Sequence, residues 1–151
     1  MFPTKILVAD DDQFVLAAMQ RGLEAEGYRI LAAHDGEMAV RIGCAKKPDL
    51  AILDIMGVEG YQLLEITNQR KVTAVMLTAH ALSPENIVKS FKEGAASYLP
   101  KEEMVNIASF LTDVFEAQEQ GKNTWTRWYD RMGSFFEKKF GSKWQDDEKE
   151  F

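Results

Sequence analysis

The strongest constraint on the fold is an alternation of short apolar runs with segments of helical periodicity along residues 1–119. Five runs are predicted strands, at residues 6–9, 29–33, 50–53, 74–78 and 97–99. They are apolar at successive positions rather than at every second one, as expected for strands of a parallel sheet that is covered on both faces. Strands that alternate with helices indicate βαβ units. The sequence therefore predicts an α/β fold built on a five-stranded parallel sheet.

The segments between and after these runs are predicted helices. Four of them are expected at residues 14–26, 37–46, 61–69 and 104–118. The first of these has an apolar stripe at helical spacing that runs from Phe14 to Leu23. One more helix is expected to start with an N-cap and a proline at Ser83-Pro84 and to end at Gly94. Five helices therefore accompany the five strands.

The length and composition are those of a globular protein with one domain, or with one domain and an appendage. The chain has 151 residues, of which 46% are hydrophobic. Its net charge of −6 disfavours non-specific binding to nucleic acid. The single cysteine, Cys44, excludes an internal disulfide framework and fits a reducing cytosol. Because no apolar run approaches about 18 residues and the N-terminus lacks a signal-peptide layout, we expect a cytoplasmic protein.

The predicted strands end in residues that carry chemistry, with three aspartates after the first strand and one polar residue after the third, fourth and fifth. These residues are Asp10, Asp11, Asp12, Asp54, Thr78 and Lys101. Ligands of open α/β sheets bind at the carboxyl ends of the strands, so we expect these side chains to converge. Two like charges about 4 Å apart repel by roughly 4 kcal/mol at an effective dielectric of about 20. A hard cation such as Mg²⁺, which prefers oxygen ligands, would offset this repulsion, while Asp12 is also a suitable N-cap for the first helix.

Four segments in order resemble the receiver domain of two-component response regulators. They are ILVADDD, PDLAILD, VMLTAHA and GAASYLPK, and the resemblance covers residues 5–118. It implies a flavodoxin-like doubly wound sheet of five parallel strands with five helices. It also implies a signalling function, in which a histidine kinase or a phosphotransfer protein transfers a phosphoryl group to the domain.

The resemblance implies which residues hold the phosphoryl group and the metal ion. Asp54 would accept the phosphoryl group. Asp10, Asp11 and Asp54 would hold Mg²⁺ together with the backbone carbonyl of Met56. Phosphoryl transfer depends mainly on positioning and on neutralising charge, so a metal ion among carboxylates suits this chemistry independently of the resemblance.

Three further residues would respond to the phosphoryl group, as the resemblance implies. Thr78 would hydrogen-bond one of its oxygens, and Lys101 would pair with another. Tyr98 would be the aromatic switch, which turns inward when Thr78 is drawn to the phosphate.

The loop after Asp54 departs from the family pattern. Its sequence, DIMGVEG, lacks the usual proline and reaches Gly60 after six residues, about two fewer than is common. We therefore expect Gly57 or Gly60 to make the bend. Met56 and His80 are expected to tune the lifetime of the phosphorylated state. Because Met56 has no group able to orient an attacking water, we expect slow self-dephosphorylation.

The composition changes after residue 120, where an extension at residues 121–151 follows the predicted receiver domain at residues 1–120. Eight residues lie on one helical stripe of this extension: Trp125, Trp128, Tyr129, Met132, Phe135, Phe136, Phe140 and Trp144. At roughly 150 Å² for each aromatic ring the stripe offers roughly 1,000 Å² of apolar surface, which is more than soluble monomers expose. It is expected to fold back on the receiver, to pair with a second copy, or to bind another protein. A homodimer or protein-target contact would use Trp125, Trp128, Phe135, Phe136 and Phe140.

Other partners are disfavoured by charge. Residues 102–151 contain eleven acidic and seven basic residues, a balance of −4 that opposes binding to anionic lipids. The same balance and the short extension argue against a DNA-binding output domain. We therefore expect no nucleic-acid partner and no membrane binding.

Three functions are compatible with these patterns. The leading one is a phosphoryl-accepting switch without a DNA-binding output domain, which acts through protein contacts and is not an enzyme. The alternative is a receiver-like scaffold that is not phosphorylated and binds a partner or itself through the C-terminal helix. The third is a metal-dependent phosphohydrolase, for which no second acid is placed after Asp54 to serve as the general acid.

Overall fold

A computed structural model of the chain describes residues 5–79 and 84–140, and within 134–140 it describes the backbone alone. Its centre is a sheet of five parallel strands: β1 (Lys5–Ala9), β2 (Arg29–Ala33), β3 (Leu50–Asp54), β4 (Thr73–Thr78) and β5 (Ser97–Pro100). The strands lie in the order β2-β1-β3-β4-β5. This order changes direction between β1 and β3, which is the point at which doubly wound sheets bind their ligands. The predicted α/β fold is confirmed, and each strand was placed to within one residue.

In the described residues six α-helices connect and cover the strands: α1 (Gln13–Ala25), α2 (Gly36–Lys46), α3 (Gly60–Gln69), α4 (Pro84–Lys92), α5 (Ile107–Glu119) and α6 (Thr124–Phe140). A 3₁₀ helix at Lys101–Asn106 precedes α5, so α5 starts three residues later than predicted. Such tight turns are common at the N-termini of α-helices. Ser83, the predicted N-cap of α4, lies outside the described residues. No helix in the described parts of the chain is long and apolar enough to span a membrane.

Four of the five strands, β1, β3, β4 and β5, are buried along most of their length, whereas in the edge strand β2 only Ala33 is buried. All five residues of β3 are buried, and in β1 and β4 only the first residue is partly accessible. Burial on both faces of the sheet explains why these segments are apolar at successive positions. Asp54 is the last residue of β3, so its backbone is held by a strand that is buried at every residue.

The apolar face of α1 differs from the predicted one. Phe14 is 87% exposed, and the buried residues of the helix are Val15, Met19 and Leu23. These three residues are four positions apart and lie on one helix face, whereas Phe14 is rotated by about 100° from Val15. The prediction that Phe14 belongs to the core stripe is therefore wrong.

The first half of α6 packs against the edge strand β5. Trp125, Trp128 and Met132 are buried and lie three or four residues apart. The indole N–H of Trp125 donates a hydrogen bond of 2.7 Å to the carbonyl oxygen of Ala95, and that of Trp128 donates one of 2.6 Å to the carbonyl oxygen of Tyr98. An edge strand that is covered by a helix is protected from pairing with other chains.

Ion pairs connect the other side of α6 to α5. Arg127 lies 2.6 Å from a carboxylate oxygen of Glu116, and Arg131 forms a two-bond contact with Asp113. Exposed ion pairs contribute little to stability. They join α6 to α5, while the tryptophans of α6 face β5.

The described part of α6 is therefore an intramolecular contact. Of the three predicted alternatives for the aromatic stripe, folding back on the receiver is what the structure shows for Trp125 and Trp128. The predicted partner contact through these two residues is corrected, because both are buried against the chain's own β5 and α5. The side chains of Phe135, Phe136 and Phe140 lie outside the described residues, as does Trp144.

Candidate functional site

Three carboxylates meet at the carboxyl ends of β1 and β3. Carboxylate oxygens of Asp10, Asp11 and Asp54 all lie within 4.8 Å of one another. Asp10 and Asp54 are buried, whereas Asp11 is exposed. The two strands are neighbours in the sheet, so the backbone itself brings these residues together. The convergence that the sequence predicted is present at the switch point of the sheet.

Lys101 reaches this cluster from the end of β5. Its ammonium nitrogen lies 2.8 Å from Oδ2 of Asp10 and 3.6 Å from Oδ1 of Asp54. Asp10 is fully buried, and its Oδ2 atom makes no hydrogen bond within the described part of the chain apart from this ion pair. A single lysine therefore faces two buried carboxylates and one exposed one.

The electrostatics of the cluster follow from burial and from an excess of negative charge. Burial raises the pKa of the Asp54 carboxyl, and the charges of Asp10 and Asp11 raise it further, while Lys101 and the backbone N–H of Gly57 oppose this shift. Burial alone lowers the pKa of Lys101, but its hydrogen bond and ion pair with Asp10 and the charge of Asp54 raise it above its ordinary value. Three carboxylates and one ammonium group leave a net negative site.

The donor set fits a hard divalent cation. Carboxylate oxygens are the preferred ligands of Mg²⁺, and Asp10, Asp11 and Asp54 present them on one side of the cluster. Their charge exceeds that of Lys101, so a bound cation would lower the repulsion within the site. The chemistry of the residues present is therefore that of a magnesium site.

The three successive aspartates have different roles. Asp12 is the N-cap of α1, where its side chain accepts hydrogen bonds from the backbone N–H groups of Phe14 and Val15 at 2.8 and 3.4 Å. Asp10 accepts a 2.9 Å hydrogen bond from the backbone N–H of Asp12 through Oδ1. The predicted N-cap is confirmed, and it leaves Asp10 and Asp11 as the two aspartates of the three that belong to the carboxylate cluster.

The loop after β3 brings backbone directly against the carboxylates. The backbone N–H of Gly57 donates a 3.0 Å hydrogen bond to Oδ2 of Asp54. The loop closes with a 2.9 Å hydrogen bond from the N–H of Gly60 to the carbonyl oxygen of Ile55. The left-handed residue of this turn is Glu59, with φ of 54°, so the prediction that a glycine makes the bend is wrong.

Both glycines of the loop are instead explained by close approach. A Cβ atom at Gly60 would lie 2.5 Å from the carbonyl oxygen of Asp54, and one at Gly57 would overlap the carboxylates of Asp11 and Asp54. Sequence reasoning did not assign Gly57 to the site. The only signal was the presence of two glycines in a shortened loop, and this signal does not say which side chains the backbone approaches.

The remaining predicted residues that the structure describes differ in burial. Thr78 is buried at the end of β4, in register with Pro100. The side chain of Met56 is 76% exposed, and His80 lies outside the described residues. Tyr98 is fully buried, and its ring meets that of Trp128 edge-on with centroids 6.4 Å apart. In this structure Tyr98 therefore already points inward, beneath α6.

The fold and the site together define a flavodoxin-like α/β domain with an acidic, lysine-containing site at its switch point. The family model described as "Response regulator receiver domain" matches residues 6–111. The chain belongs to this family. Receiver domains are signalling modules of two-component systems, and phosphorylation and Mg²⁺ are general features of the family.

Individual relatives agree with this assignment. The chain is 34% identical over 122 residues to the response regulator GtcR of Aneurinibacillus migulanus, covering 76% of this chain and 50% of GtcR. It is 35% identical over 102 residues to the transcriptional regulatory protein CpxR of Escherichia coli K12, covering 64% of this chain and 42% of CpxR. The chain thus spans about half the length of the curated relatives it matches.

Solved structures show the same architecture. A CheY-like response regulator receiver domain protein from Methanospirillum hungatei superimposes with a TM-score of 0.71 at 29% identity, covering 80% of this chain and 99% of that one. A response regulator from Burkholderia pseudomallei, described with a phosphorylated aspartic acid, a calcium ion and citrate, has a TM-score of 0.65 at 28% identity. That comparison covers 78% of this chain and 72% of the other.

Proposed function

We propose that the chain is a phosphoryl-accepting switch that receives a phosphoryl group on Asp54 from a histidine kinase or a phosphotransfer protein and signals through protein contacts. The observation that carries the proposal is the convergence of three carboxylates and Lys101 at the switch point of the sheet. Membership of the receiver family supports it. So does the phosphorylated aspartic acid described for the similar Burkholderia regulator.

Asp54 is the proposed nucleophile, and its two oxygens have different surroundings. Oδ2 accepts the hydrogen bond from the N–H of Gly57, whereas Oδ1 lies 3.6 Å from the ammonium nitrogen of Lys101. Oδ1 is therefore the proposed attacking oxygen. A bond forms between Oδ1 and phosphorus, and the bond between phosphorus and the leaving atom of the donor breaks. That atom is a histidine ring nitrogen of the kinase or phosphotransfer protein, or the acetate oxygen when acetyl phosphate is the donor.

The donor is an anion, so the site must be neutralised before a carboxylate can attack it. Lys101 supplies one positive charge beside Asp54. Asp10, Asp11 and Asp54, with the backbone carbonyl of Met56, are the proposed ligands of Mg²⁺. When bound, this ion supplies charge neutralisation for the carboxylates and for the transferring oxygens.

The proposed output passes from Thr78 through Tyr98 to α6. The hydroxyl of Thr78 donates to a phosphoryl oxygen and Lys101 pairs with another, which changes the space available to Tyr98. Because Tyr98 packs against Trp128, this change alters the fit of α6 on β5. Phosphorylation would then bias an equilibrium between two arrangements of the face formed by α4, β5 and α5.

The proposal is tested by incubation with Mg²⁺ and acetyl phosphate, followed by mass measurement of the intact protein. The expected result is a gain of one phosphoryl group in the natural chain and none in Asp54→Ala. Asp130→Ala, which removes an exposed aspartate of α6, is the matched control and should gain the group normally. Release of phosphate beyond one equivalent would instead indicate a phosphohydrolase.

One observation favours the alternative of an unphosphorylated scaffold. The N–H of Gly57 already occupies Oδ2 of Asp54, and the loop that carries it is shorter than is usual in the family. A natural chain that binds Mg²⁺ but gains no phosphoryl group from acetyl phosphate would support the scaffold and contradict the switch.

A further inference from the structure

We propose that Gly57 is a positioning residue for the metal ion, because the absence of a side chain at this position allows the carboxylates of Asp11 and Asp54 to lie together against the loop, where both can bind the ion. This inference rests on the proposed function, since it concerns the same Mg²⁺ site. It adds a residue that neither the ligand set nor the reaction chemistry includes.

The geometry at residue 57 carries the inference. Real Cβ atoms stay at least 3.0 Å from neighbouring heavy atoms. A Cβ atom built at Gly57 would lie much closer than this to both Oδ2 of Asp54 and Oδ1 of Asp11. It would also lie 2.7 Å from Cγ of Asp11. A methyl group at this position would therefore overlap the two carboxylates and displace them from the positions in which they could bind one cation together.

The other glycines show that this property is specific to Gly57. A Cβ atom at Gly60 would strike the backbone of Asp54, at 2.5 Å from its carbonyl oxygen and 2.9 Å from its carbonyl carbon. Backbone atoms of a buried strand cannot move aside, so Gly60 is required by the fold. A Cβ atom at Gly22 would meet nothing within 4 Å, so neither the fold nor the carboxylate cluster requires a glycine at position 22.

A side chain at residue 57 is compatible with the fold of the loop. Gly57 is not among the residues with positive φ, so an alanine adopts its backbone conformation without strain. The atoms that it would displace are the ends of two carboxylate side chains, which can rotate. Gly57→Ala is therefore expected to fold and to lose the arrangement of Asp11 and Asp54 that holds the ion.

The hydrogen bond to Asp54 provides a second role for the same backbone. The N–H of Gly57 donates a 3.0 Å hydrogen bond to Oδ2 of Asp54. A rotation of the Asp54 side chain would break this hydrogen bond. A methyl group thus disturbs both the joint placement of the Asp11 and Asp54 carboxylates and the orientation of the acceptor carboxylate. Both effects act on metal binding before any phosphoryl group is present.

The test measures Mg²⁺ binding by titration calorimetry, with Mn²⁺ binding followed by electron paramagnetic resonance as a second readout. The natural chain and the matched control Gly22→Ala should bind alike. Gly57→Ala should retain its circular dichroism spectrum in EDTA and bind either ion at least about tenfold more weakly, as altered metal surroundings typically cause.

Each other outcome contradicts the inference in a distinguishable way. Gly57→Ala with natural affinity for Mg²⁺ would overturn it while leaving the proposed function intact. Failure of Gly57→Ala to fold would overturn it as well, because the glycine would then be required by the loop. Absence of Mg²⁺ binding in the natural chain would overturn both this inference and the metal site of the proposed function.

Discussion

Replacing Trp128 tests how firmly α6 belongs to the receiver. The side chain is 2% exposed, its ring lies 5.0 Å from that of Trp125, and its indole N–H donates to the carbonyl oxygen of Tyr98. Two variants separate the packing from the hydrogen bond. Trp128→Ala removes both, whereas Trp128→Phe keeps one aromatic ring and removes the donor together with the smaller part of the buried ring volume.

The expected losses follow from these contacts. Truncation of a buried aromatic residue to alanine costs about 3–5 kcal/mol of unfolding free energy. Trp128→Phe should cost about 1–3 kcal/mol, because the buried carbonyl of Tyr98 is left without that donor. Neither loss can exceed the free energy with which α6 docks, since a helix that has detached has no further contacts to lose.

The assay is urea denaturation followed by far-ultraviolet circular dichroism, with Thr126→Ala as the control. Thr126 is exposed on the same helix, so its replacement should change the unfolding free energy by no more than about 0.5 kcal/mol. The reasoning is refuted if Trp128→Ala costs no more than Thr126→Ala. An equal loss for Trp128→Ala and Trp128→Phe would show that the hydrogen bond rather than the packing holds the helix.

Three further results are expected. Asp54→Asn should raise the melting temperature in EDTA at neutral pH and not at acidic pH. Burial raises the pKa of Asp54 in the folded chain above its value in the unfolded chain. Protonated Asp54 therefore contributes stability below the ordinary pKa, and this contribution is lost as the pH rises through the pKa of the folded chain. Lys101→Met should lower the unfolding free energy by about 3 kcal/mol, since it leaves the buried Asp10 carboxylate unpaired, and an unchanged urea midpoint would contradict this. The phosphorylated chain should retain its phosphoryl group for many minutes in excess Mg²⁺, because exposed Met56 cannot orient a water; mass spectra showing loss within seconds would contradict the reasoning.

The fold could be predicted from the sequence because its main determinants are local. Each strand is a continuous apolar run between turn residues, and burial of all of Leu50–Asp54 is what such a run predicts. The carboxyl-end rule for open sheets then brought Asp54 and Lys101 together without any knowledge of side-chain geometry. The N-cap role of Asp12 could also be predicted from the sequence, because an N-cap side chain contacts only the next three residues.

What could not be predicted depends on contacts between distant segments. Spacing alone did not show that the core face of α1 is centred on Val15 rather than Phe14, since the choice depends on where the sheet lies. The role of Gly57 depends on its distance to Asp11, a residue of another loop. The sequence showed how much apolar surface α6 carries, but it did not show which carbonyl groups accept hydrogen bonds from Trp125 and Trp128.

The cover that α6 gives to β5 has a practical consequence for where this domain ends. The family match stops at residue 111, inside α5, yet Thr124, Trp125 and Trp128 donate hydrogen bonds to three carbonyl groups in and just before the edge strand. A fragment that ends at residue 111, or that is fused there to another protein, would lack α6 and expose the edge of β5. Exposed edge strands can pair with strands of other molecules. Recombinant versions of this receiver should therefore carry the chain through Met132 at least, and an insoluble shorter fragment would be a sign of a misplaced cut rather than of an unstable fold.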